Sequence, residues 1–434
     1  MTDLTKLLPT KSATVEAIEA YWKNRGSNEA PRGYLGASAI GKECSRELWY
    51  EFRKCSKPNF DGRLYRLFDR GHKEEFRFVE ELRGIGCEVH EVDQDGNQFE
   101  VIACDGHFKG HTDGAALGVI EAPKTWHLLE MKTSSASLFK KIEKDGCEVA
   151  KPQHYAQMQV YMHLTGLKRA LYMVVNKDTD ALYTERLRYD SKRAQSYIDK
   201  AQSIINASAP PERADTLPEE GKKPKYGSPC TYCDAKALCH GISDVAVNVP
   251  ALHCRQCVHS TPASEGHWIC DHTGNYDPEV CDSHVFLPGL INFAEPTDSF
   301  VNKDGSTAIE FTSNEGDTVW HHGNDGDAGQ YSSHMLMTMP RELIELPSVK
   351  VAGKPEINLE QKYALSLDNV ERVWKGSIDD LKAEFERRYA VPMSNPDYTQ
   401  EGKGWVAAEF KPHGCVVTFG NSAEIREDNN HTKK

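Results

Sequence analysis

The segment from Asp113 to Lys132 carries the residue types of a metal-assisted hydrolase. Asp113 lies in GHTDGAAL, on or beside one predicted strand, and Glu130 and Lys132 lie in HLLEMKTS, on the next. Because side chains alternate along a strand, Glu130 and Lys132 share one face and Met131 lies on the other. Two carboxylates from neighbouring strands can share Mg²⁺ or Mn²⁺, and a lysine beside them can orient or deprotonate water, or neutralise a phosphate. The pattern predicts phosphodiester hydrolysis.

Other residues must support this reading, because a Glu-x-Lys triplet alone is common on solvated strand faces. The two leucines before Glu130 indicate a buried strand, where an unpaired carboxylate is costly. His72 lies on the apolar stripe of a predicted helix over residues 64–82, where a satisfied core histidine is the competing interpretation. Gln157 and Tyr161 are four residues apart on a later helix and therefore share a face.

Six residues of these types occur in a fixed order along the chain. They are a histidine, an aspartate, a Glu-x-Lys pair and a glutamine–tyrosine pair: His72, Asp113, Glu130, Lys132, Gln157 and Tyr161. In this order they resemble the PD-(D/E)XK nuclease superfamily, specifically its RecB-like branch. The resemblance covers roughly residues 36–240. Two departures are that no proline precedes Asp113 and that Gln153 competes with Gln157 for the glutamine position.

The resemblance implies a role for each of these positions. His72, Asp113, Glu130 and the Met131 carbonyl would bind the metal, and Lys132 would assist catalysis. Gln157 and Tyr161, on their shared helix face, would contact DNA or support the site. The implied fold is α/β, a mixed central sheet flanked by helices, as in restriction endonucleases.

A first group of cysteines combines one early residue with three late ones: Cys44, Cys230, Cys233 and Cys239. This split arrangement is similar to the iron–sulfur staple of RecB-like nucleases, including the CRISPR-adaptation nucleases and the AddB subunit, and implies a structural [4Fe-4S] cluster. Thiolate ligation by itself does not separate iron–sulfur from zinc. A Zn²⁺ site with His240 or Cys55 as its fourth ligand is the alternative.

A second group follows at once: Cys254, Cys257, Cys270 and Cys281. Two ligands from a tight turn and two from later returns suit tetrahedral Zn²⁺, so a zinc-ribbon-like module is predicted. Unligated thiols and a second iron–sulfur site are the alternatives, and nearby histidines are substitute ligands: His253, His259, His267, His272 and His284. Arg255 is the one basic residue from Val245 to Ile291, which favours a fold staple or protein-docking module over DNA binding.

Composition and charge limit the function classes. Hydrophobic residues are 39% and charged residues 27% of 434, the composition of an ordinary globular protein. No long apolar run predicts a membrane span, and the N-terminus predicts no secretory signal, so we expect a protein of the cytoplasm of a bacterial or phage-infected cell. The net charge of −13 lies entirely in residues 245–434, while residues 1–244 are neutral and can present a local basic face to DNA.

Four parts are predicted along the chain. Residues 1–35 form a helix and loop, 36–244 the nuclease domain, 245–290 the zinc-ribbon-like module, and 291–434 a small acidic α+β accessory domain. We expect a Mg²⁺- or Mn²⁺-dependent DNA exonuclease of recombination, repair or phage replication. An endonuclease, a non-catalytic metal-stapled adaptor, and a hydrolase of RNA or nucleotides are alternatives. The acidic part could dock a helicase, an annealing protein or a polymerase, or imitate DNA.

Overall fold

The structure, a computed structural model, describes most of the chain up to residue 344. Residues with described side chains are 12–27, 32–214, 229–302, 305–313, 318–323, 330–341 and 344, and three later strands are described by their backbone at 370–376, 405–410 and 415–419. The chain divides into two compact units, Met1–Asn314 with Trp320–Pro340, and Glu315–Val319 with Arg341–Lys434. The predicted boundaries at residues 36, 245 and 291 all lie within the first unit and stay predictions.

Long helices and short strands alternate through the first half of the chain. Up to residue 117 the elements are α1 Ala13–Ser27, β1 Leu35–Gly36, α2 Ser45–Phe52, α3 Gly62–Gly84, β2 Glu88–His90, β3 Glu100–Ala103, β4 Phe108–His111 and β5 Ala115–Leu117. Then follow β6 His127–Ser134, α4 Ala136–Ala150, α5 Pro152–Thr165, β7 Arg169–Asn176, β8 Leu182–Arg188 and α6 Ser191–Asn206. The sequence predicts helices over residues 64–82, over 152–167 with a proline at its start, and over about 191–207, and these correspond to α3, α5 and α6.

Local signals explain where these helices begin and end. The Asp61 side chain accepts a hydrogen bond from the Leu64 amide at 2.8 Å and caps α3. Asp190 caps α6 in the same way. Pro152 opens α5, where its missing amide costs nothing, and Gly166 ends α5 with a positive φ of 79°. These caps set the ends of the helices that surround the central sheet.

The central sheet has five strands in the order β2-β5-β6-β7-β8. Only β6 and β7 pair in parallel, and the other neighbours are antiparallel, so the sheet is mixed. One face packs on α3 through a core that includes Phe78, Met131 and Met173. The opposite face carries Glu130 and its cross-strand neighbour Tyr172 towards α4 and α5. The chemistry-bearing strand β6 is thus central and buried.

A second sheet, β1-β4-β3, runs beside the first and leads into the segment that holds Asp113. In it β1 pairs in parallel with β4, and β3 in antiparallel fashion with β4. Gly110 of β4 lies against the ring of Tyr161, where a Cβ would come within 2.5 Å of ring carbon and hydroxyl oxygen. This close contact joins the second sheet to α5 beneath the site.

The cysteine-rich segments follow α6. They contain α7 Lys236–His240, β9 Ser260–Pro262 and β10 Trp268–Cys270, with β9 and β10 forming an antiparallel hairpin. Arg53, the residue that follows α2, lies over the Trp268 ring at 4.9 Å and donates hydrogen bonds to the carbonyls of Arg255 at 3.1 Å and Ser260 at 3.2 Å. The predicted module therefore packs firmly against the N-terminal helices.

A four-stranded sheet with the order β11-β12-β13-β14 comes next, from Ala294–Val301, Thr307–Ser313, Val319–His322 and Gln330–Tyr331, followed by α8 Ser333–Thr338. In the second unit, β15 Val370–Gly376, β16 Trp405–Phe410 and β17 Cys415–Phe419 form an antiparallel sheet. Together these elements make a mixed α/β protein with several sheets. The helix predicted near residues 377–390 lies outside the described residues. Among the described helices, none combines the length and apolarity that crossing a bilayer requires.

Candidate active site

Asp113, Glu130 and Lys132 meet beside the middle of β6, where Asp113 precedes β5. The Lys132 ammonium lies 2.7 Å from Glu130 Oε1 and 3.6 Å from Asp113 Oδ2. It also donates a hydrogen bond to the Met131 carbonyl at 3.0 Å. Asp113 Oδ2 in turn accepts the Met131 amide at 2.8 Å, which holds the aspartate against β6. The three oxygens predicted to bind a metal therefore converge on one cation, the ammonium of Lys132.

Glu130 is buried more deeply than an ordinary ion pair requires. It is 0% exposed, and its Oε2 has no hydrogen-bond partner among the described residues. Burial raises the pKa of Glu130 to about 7, while Lys132 lowers it and Asp113 and Glu75 raise it. Burial lowers the pKa of Lys132, but Glu130, Asp113 and Glu75 together more than offset this, so its pKa lies above that of free lysine. The carboxylates therefore favour the protonated form of Lys132.

Glu75 of α3 joins the group as a third carboxylate, which the sequence interpretation did not include. Burial raises its pKa to about 7, with repulsion from Asp113 adding to the shift and attraction to Lys132 opposing it. His72 lies one turn earlier and lines the same cavity as Glu75 and Lys132, but it is exposed. Among the described residues, no hydrogen bond or ion pair joins His72 to the carboxylates. The spacing of three between His72 and Glu75 is the signal that could have indicated both.

Gln157 and Tyr161 lie beneath the carboxylates, away from solvent. They are 5% and 2% exposed, and the Gln157 amide donates to the Tyr161 hydroxyl at 3.4 Å. Burial raises the pKa of Tyr161, and the nearby charges of Glu130 and Asp113 raise it further. Of the two roles that the resemblance implied, burial fits support of the site. The alternative Gln153 instead donates to the Ser38 carbonyl at 3.0 Å.

His154 is a second feature that the sequence interpretation missed. Its Nδ1 lies 2.8 Å from the Tyr172 hydroxyl, and Tyr172 is the cross-strand partner of Glu130. Burial lowers the pKa of His154 to about 3, and the positive charges of Lys132 and Lys151 lower it further. The imidazole is therefore neutral beside the site. Its contact with the Tyr172 hydroxyl orients the tyrosine that lies next to Glu130 on the neighbouring strand.

The site opens into a cavity of about 1060 Å³. Its walls come from α1, α3, β6, α4 and α5, and from the segment Pro250–His253 that precedes the second cysteine group. Glu75, Lys132 and His154 all reach this space, whereas Glu130 does not. Lys132 and Glu75 are thus the charged groups of the site that a bound molecule would meet first.

The first cysteine group is brought together from both ends of the nuclease segment. Cys44, Cys230, Cys233 and Cys239 line one small cavity. The thiol of Cys233 has its pKa raised to about 12 by burial, by Glu47, and by the neighbouring Cys44 and Cys239. Among the two alternative fourth ligands, His240 lines the same cavity, whereas Cys55 does not.

The second group also surrounds one space. Cys254, Cys257, Cys270 and Cys281 line a cavity of about 510 Å³, together with His259, His272 and His284. Burial raises the pKa of Cys254 to about 12, and the other three thiols add to the rise. His284 is already engaged through both ring nitrogens, to Ser333 Oγ at 2.7 Å and to the His253 carbonyl at 3.2 Å. It is therefore a poor substitute ligand.

The geometry of a metal site is a stricter condition than a shared cavity. Within the part of the chain that the structure describes, no three His, Cys, Asp or Glu side chains are spaced as ligands of a single ion. The metal and cluster assignments at the three sites accordingly stay predictions.

Comparison with known proteins yields structural likenesses only. No protein-family model matches the chain, and no curated protein matches it in sequence. The crystal structure of SSO0001 has a TM-score of 0.32 and 14% identity, covering 52% of this chain and 96% of that one. LHK-Exo in complex with dAMP has a TM-score of 0.31 and 17% identity, covering 43% and 90%.

The alkaline exonuclease LHK-Exo from Laribacter hongkongensis, in a separate crystal structure, has a TM-score of 0.30 and 17% identity, covering 44% of this chain and 90% of that one. These weak neighbours thus include an alkaline exonuclease. Scores of this size are too low to assign an activity, which has to be argued from the site itself.

Proposed function

We propose that this chain is a Mg²⁺- or Mn²⁺-dependent DNA nuclease of the PD-(D/E)XK type, acting as an exonuclease. The observation that carries the proposal is the convergence of Asp113, Glu130 and the Met131 carbonyl on the Lys132 ammonium, at the inner end of a large cavity. Strongly perturbed carboxyl groups in a cleft are the usual sign of a functional site.

The donor set fits a hard divalent cation. Asp113 Oδ2, Glu130 and the Met131 carbonyl are oxygen donors, and Glu130 Oε2 has no hydrogen-bond partner among the described residues. These residues would hold the ion, and His72, which lines the same cavity as Lys132, would be a further ligand. A bound Mg²⁺ or Mn²⁺ would polarise the phosphate and lower the pKa of water.

The chain's own residues supply the rest of the chemistry. The neighbouring carboxylates raise the pKa of Lys132, so its ammonium donates to a non-bridging phosphate oxygen and offsets the charge that develops there. Glu75 has a pKa of about 7 and lines the cavity, so a Glu75 carboxylate oxygen accepts the proton of the attacking water. Water attacks phosphorus in line, the phosphorus–oxygen bond opposite it breaks, and the departing oxygen takes a proton from solvent water. His154, neutral, supports the wall through Tyr172.

The test is digestion of end-labelled linear DNA, single- and double-stranded, beside closed circles, in Mg²⁺ or Mn²⁺ with anaerobically purified protein. We expect linear DNA to be lost from one end while circles survive. Lys132→Ala should abolish the loss, whereas Lys140→Ala, an exposed lysine of α4, should leave it intact.

Other outcomes have distinct meanings. Cutting of circles that depends on Lys132 would reassign the enzyme as an endonuclease. Cleavage of RNA in preference to DNA would reassign its substrate. If metal-loaded wild-type protein leaves every substrate intact, the catalytic proposal fails and a metal-stapled adaptor takes its place.

The first cysteine group is proposed to hold a [4Fe-4S] cluster. The support is the shared cavity of Cys44 with Cys230, Cys233 and Cys239, which joins α2 to the segment after α6. Such a staple would close a loop that spans most of the predicted nuclease domain and stabilise its walls. Elemental analysis of anaerobically purified protein should find iron and sulfide, which Cys44→Ser removes and Cys87→Ser does not. Zinc without iron would establish the alternative site with His240.

The second group is proposed to hold Zn²⁺. Cys257 Sγ accepts the Val285 amide at 3.5 Å, a contact that favours the thiolate form. Elemental analysis should find one zinc per chain, which Cys254→Ser removes and Cys104→Ser does not. Full retention of the metal in Cys254→Ser would disprove this assignment.

A further inference from the structure

Aromatic rings line the same cavity as Lys132. Phe60, Tyr65 and Phe68 form a mutual edge-to-face cluster, with ring centroids 5.1 to 6.1 Å apart. Phe68 is 41% exposed although it is a large apolar side chain. Trp22 of α1 lines the same space, with the Arg25 guanidinium 5.3 Å from its ring centroid. Exposed rings in a cleft are available to a ligand that has flat faces.

The same walls carry more free positive than negative charge. Lysines 57, 151 and 177 line the cavity and form no ion pair among the described residues. Two of the acidic residues that reach the cavity are already neutralised: Asp69 pairs with Lys73 at 2.7 Å, and Glu51 pairs with Lys42. The third, Glu75, belongs to the proposed catalytic group. A polyanion is therefore favoured along the walls.

One of the rings and two residues of the proposed catalytic site also lie along one face of a single helix. Phe68, His72 and Glu75 follow one another at spacings of four and three, so they lie on one face of α3 and point into the same cavity. Seven residues of helix place Phe68 roughly 10 Å from Glu75, a length that about two or three nucleotides span. The volume of about 1060 Å³ is larger than most small-ligand pockets, which hold roughly 300–1,000 Å³.

We infer that this cavity binds a single strand of DNA with unpaired bases, and that Phe68 stacks on a base about two or three nucleotides from the cleaved phosphate. The inference rests on the proposed function, because it leads the strand to the same carboxylate–lysine site. Every unpaired base can offer a face to an aromatic ring, whereas inside a duplex each face is covered by the next base pair and only the terminal pair leaves one exposed. The lysines track the phosphates in a manner independent of sequence.

The test is binding of a fluorescent single strand, a strand of the same length with abasic sites throughout, and a blunt duplex, measured by anisotropy. The full chain carries Glu130→Gln to prevent cleavage. Phe68→Ala should weaken binding of the base-containing strand roughly 5- to 100-fold, as loss of one base–aromatic stack does, and leave the duplex and the abasic strand within about twofold. Phe68→Leu, which keeps an apolar side chain, should show the same loss.

The matched control is Phe76→Ala. Phe76 is on the same helix and 71% exposed but does not line the cavity, so its removal should leave binding of the base-containing strand within about twofold. Equal effects of Phe68→Ala and Phe76→Ala, or an abasic strand that binds as well as the normal one, would overturn the inference. Tighter binding of RNA of the same sequence would overturn DNA as the occupant.

The two proposals can fail separately. If wild-type protein cleaves DNA through Lys132 but Phe68→Ala binds the single strand normally, the nuclease stands and the stacking inference falls. If Phe68 controls binding of the single strand but no metal produces cleavage, the binding cavity stands and the catalytic proposal falls.

Discussion

Replacing Glu75 with glutamine tests the assignment that depends most on the structure. Glu75→Gln keeps the size and polarity of the side chain and removes its charge. If Glu75 accepts the proton of the attacking water, kcat should fall by about 10²-fold or more, the usual contribution of a positioned general base. Glu80→Gln is the matched control, because Glu80 lies on the same helix but is exposed and away from the cavity.

The pH dependence of the hydrolysis rate gives a second, independent test of Glu75. A base must be ionised to act, so activity is lost as pH falls through its pKa. Burial and repulsion from Asp113 place the pKa of Glu75 at about 7. The ionised fraction then falls about fivefold from pH 7 to pH 6 and roughly tenfold more by pH 5. A glutamate at its usual pKa, near 4.3, would stay almost fully ionised at pH 6.

The assay is the initial rate of DNA hydrolysis at saturating metal between pH 5 and pH 8.5. Carboxylates that hold a metal are ionised while it is bound, so the acid limb should belong to Glu75. The wild-type and Glu80→Gln proteins should show this limb, and Glu75→Gln should be slow and lack it. An unchanged limb in Glu75→Gln, or a rate within about threefold of Glu80→Gln, would refute the role of Glu75 as the base.

Three further outcomes are expected. His72→Ala should raise the Mg²⁺ concentration for half-maximal rate by roughly 10- to 100-fold, as loss of a ligand does, and an unchanged metal dependence would remove His72 from the site. Burial lowers the pKa of His322 to about 4, while both its nitrogens are engaged, to the Phe286 amide and the Tyr331 carbonyl. Folding therefore favours the neutral form of His322, so its contribution to the free energy of unfolding is complete above pH 6.5 and is lost as pH falls. In urea unfolding, the wild-type protein should lose about 2 kcal/mol more between pH 6.5 and pH 5 than His322→Gln does. Gly110→Ala should destabilise the protein by about 1–3 kcal/mol in thermal unfolding because its Cβ would collide with the Tyr161 ring, and an unchanged unfolding temperature would show that the ring can move aside.

Local patterns predicted the elements well where they carried a strong period or a clear turn. The apolar spacing of three and four predicts α3. The strand-like stretches on either side of Asn176–Asp180 predict a hairpin, and the pairing of Arg169 with Arg188 in β7 and β8 confirms it. Helix α4 was not predicted. It contains Gly146 with a positive φ of 74°, so its pattern is interrupted before the end. A helix that needs a non-helical residue is stabilised by its packing rather than its propensity.

Local patterns also predict the contact between two residues of the candidate site, but not the contacts that depend on how the helices pack. Strand alternation placed Glu130 and Lys132 on one face, and their contact at 2.7 Å agrees with that prediction. The sequence could not show whether His72 or Glu75 lies nearer to Asp113. Both residues lie on the cavity side of α3, and the angle at which that helix packs decides which side chain approaches Asp113. Likewise the union of Cys44 with Cys230 depends on where α2 packs, which no local pattern contains.

One feature of the site separates a functional constellation from a structural ion pair. A buried ion pair that served stability alone would satisfy both carboxylate oxygens, since leaving a buried carboxylate partly unpaired costs on the order of 1–3 kcal/mol. Glu130 instead lies at 0% exposure with Oε2 lacking a hydrogen bond among the described residues, while Asp113 and Glu75 add like charge beside it. Three carboxylates around one lysine leave a net negative site that a second cation would relieve. Such local destabilisation is typical of functional sites, and it is a physical argument for the catalytic role proposed for these carboxylates.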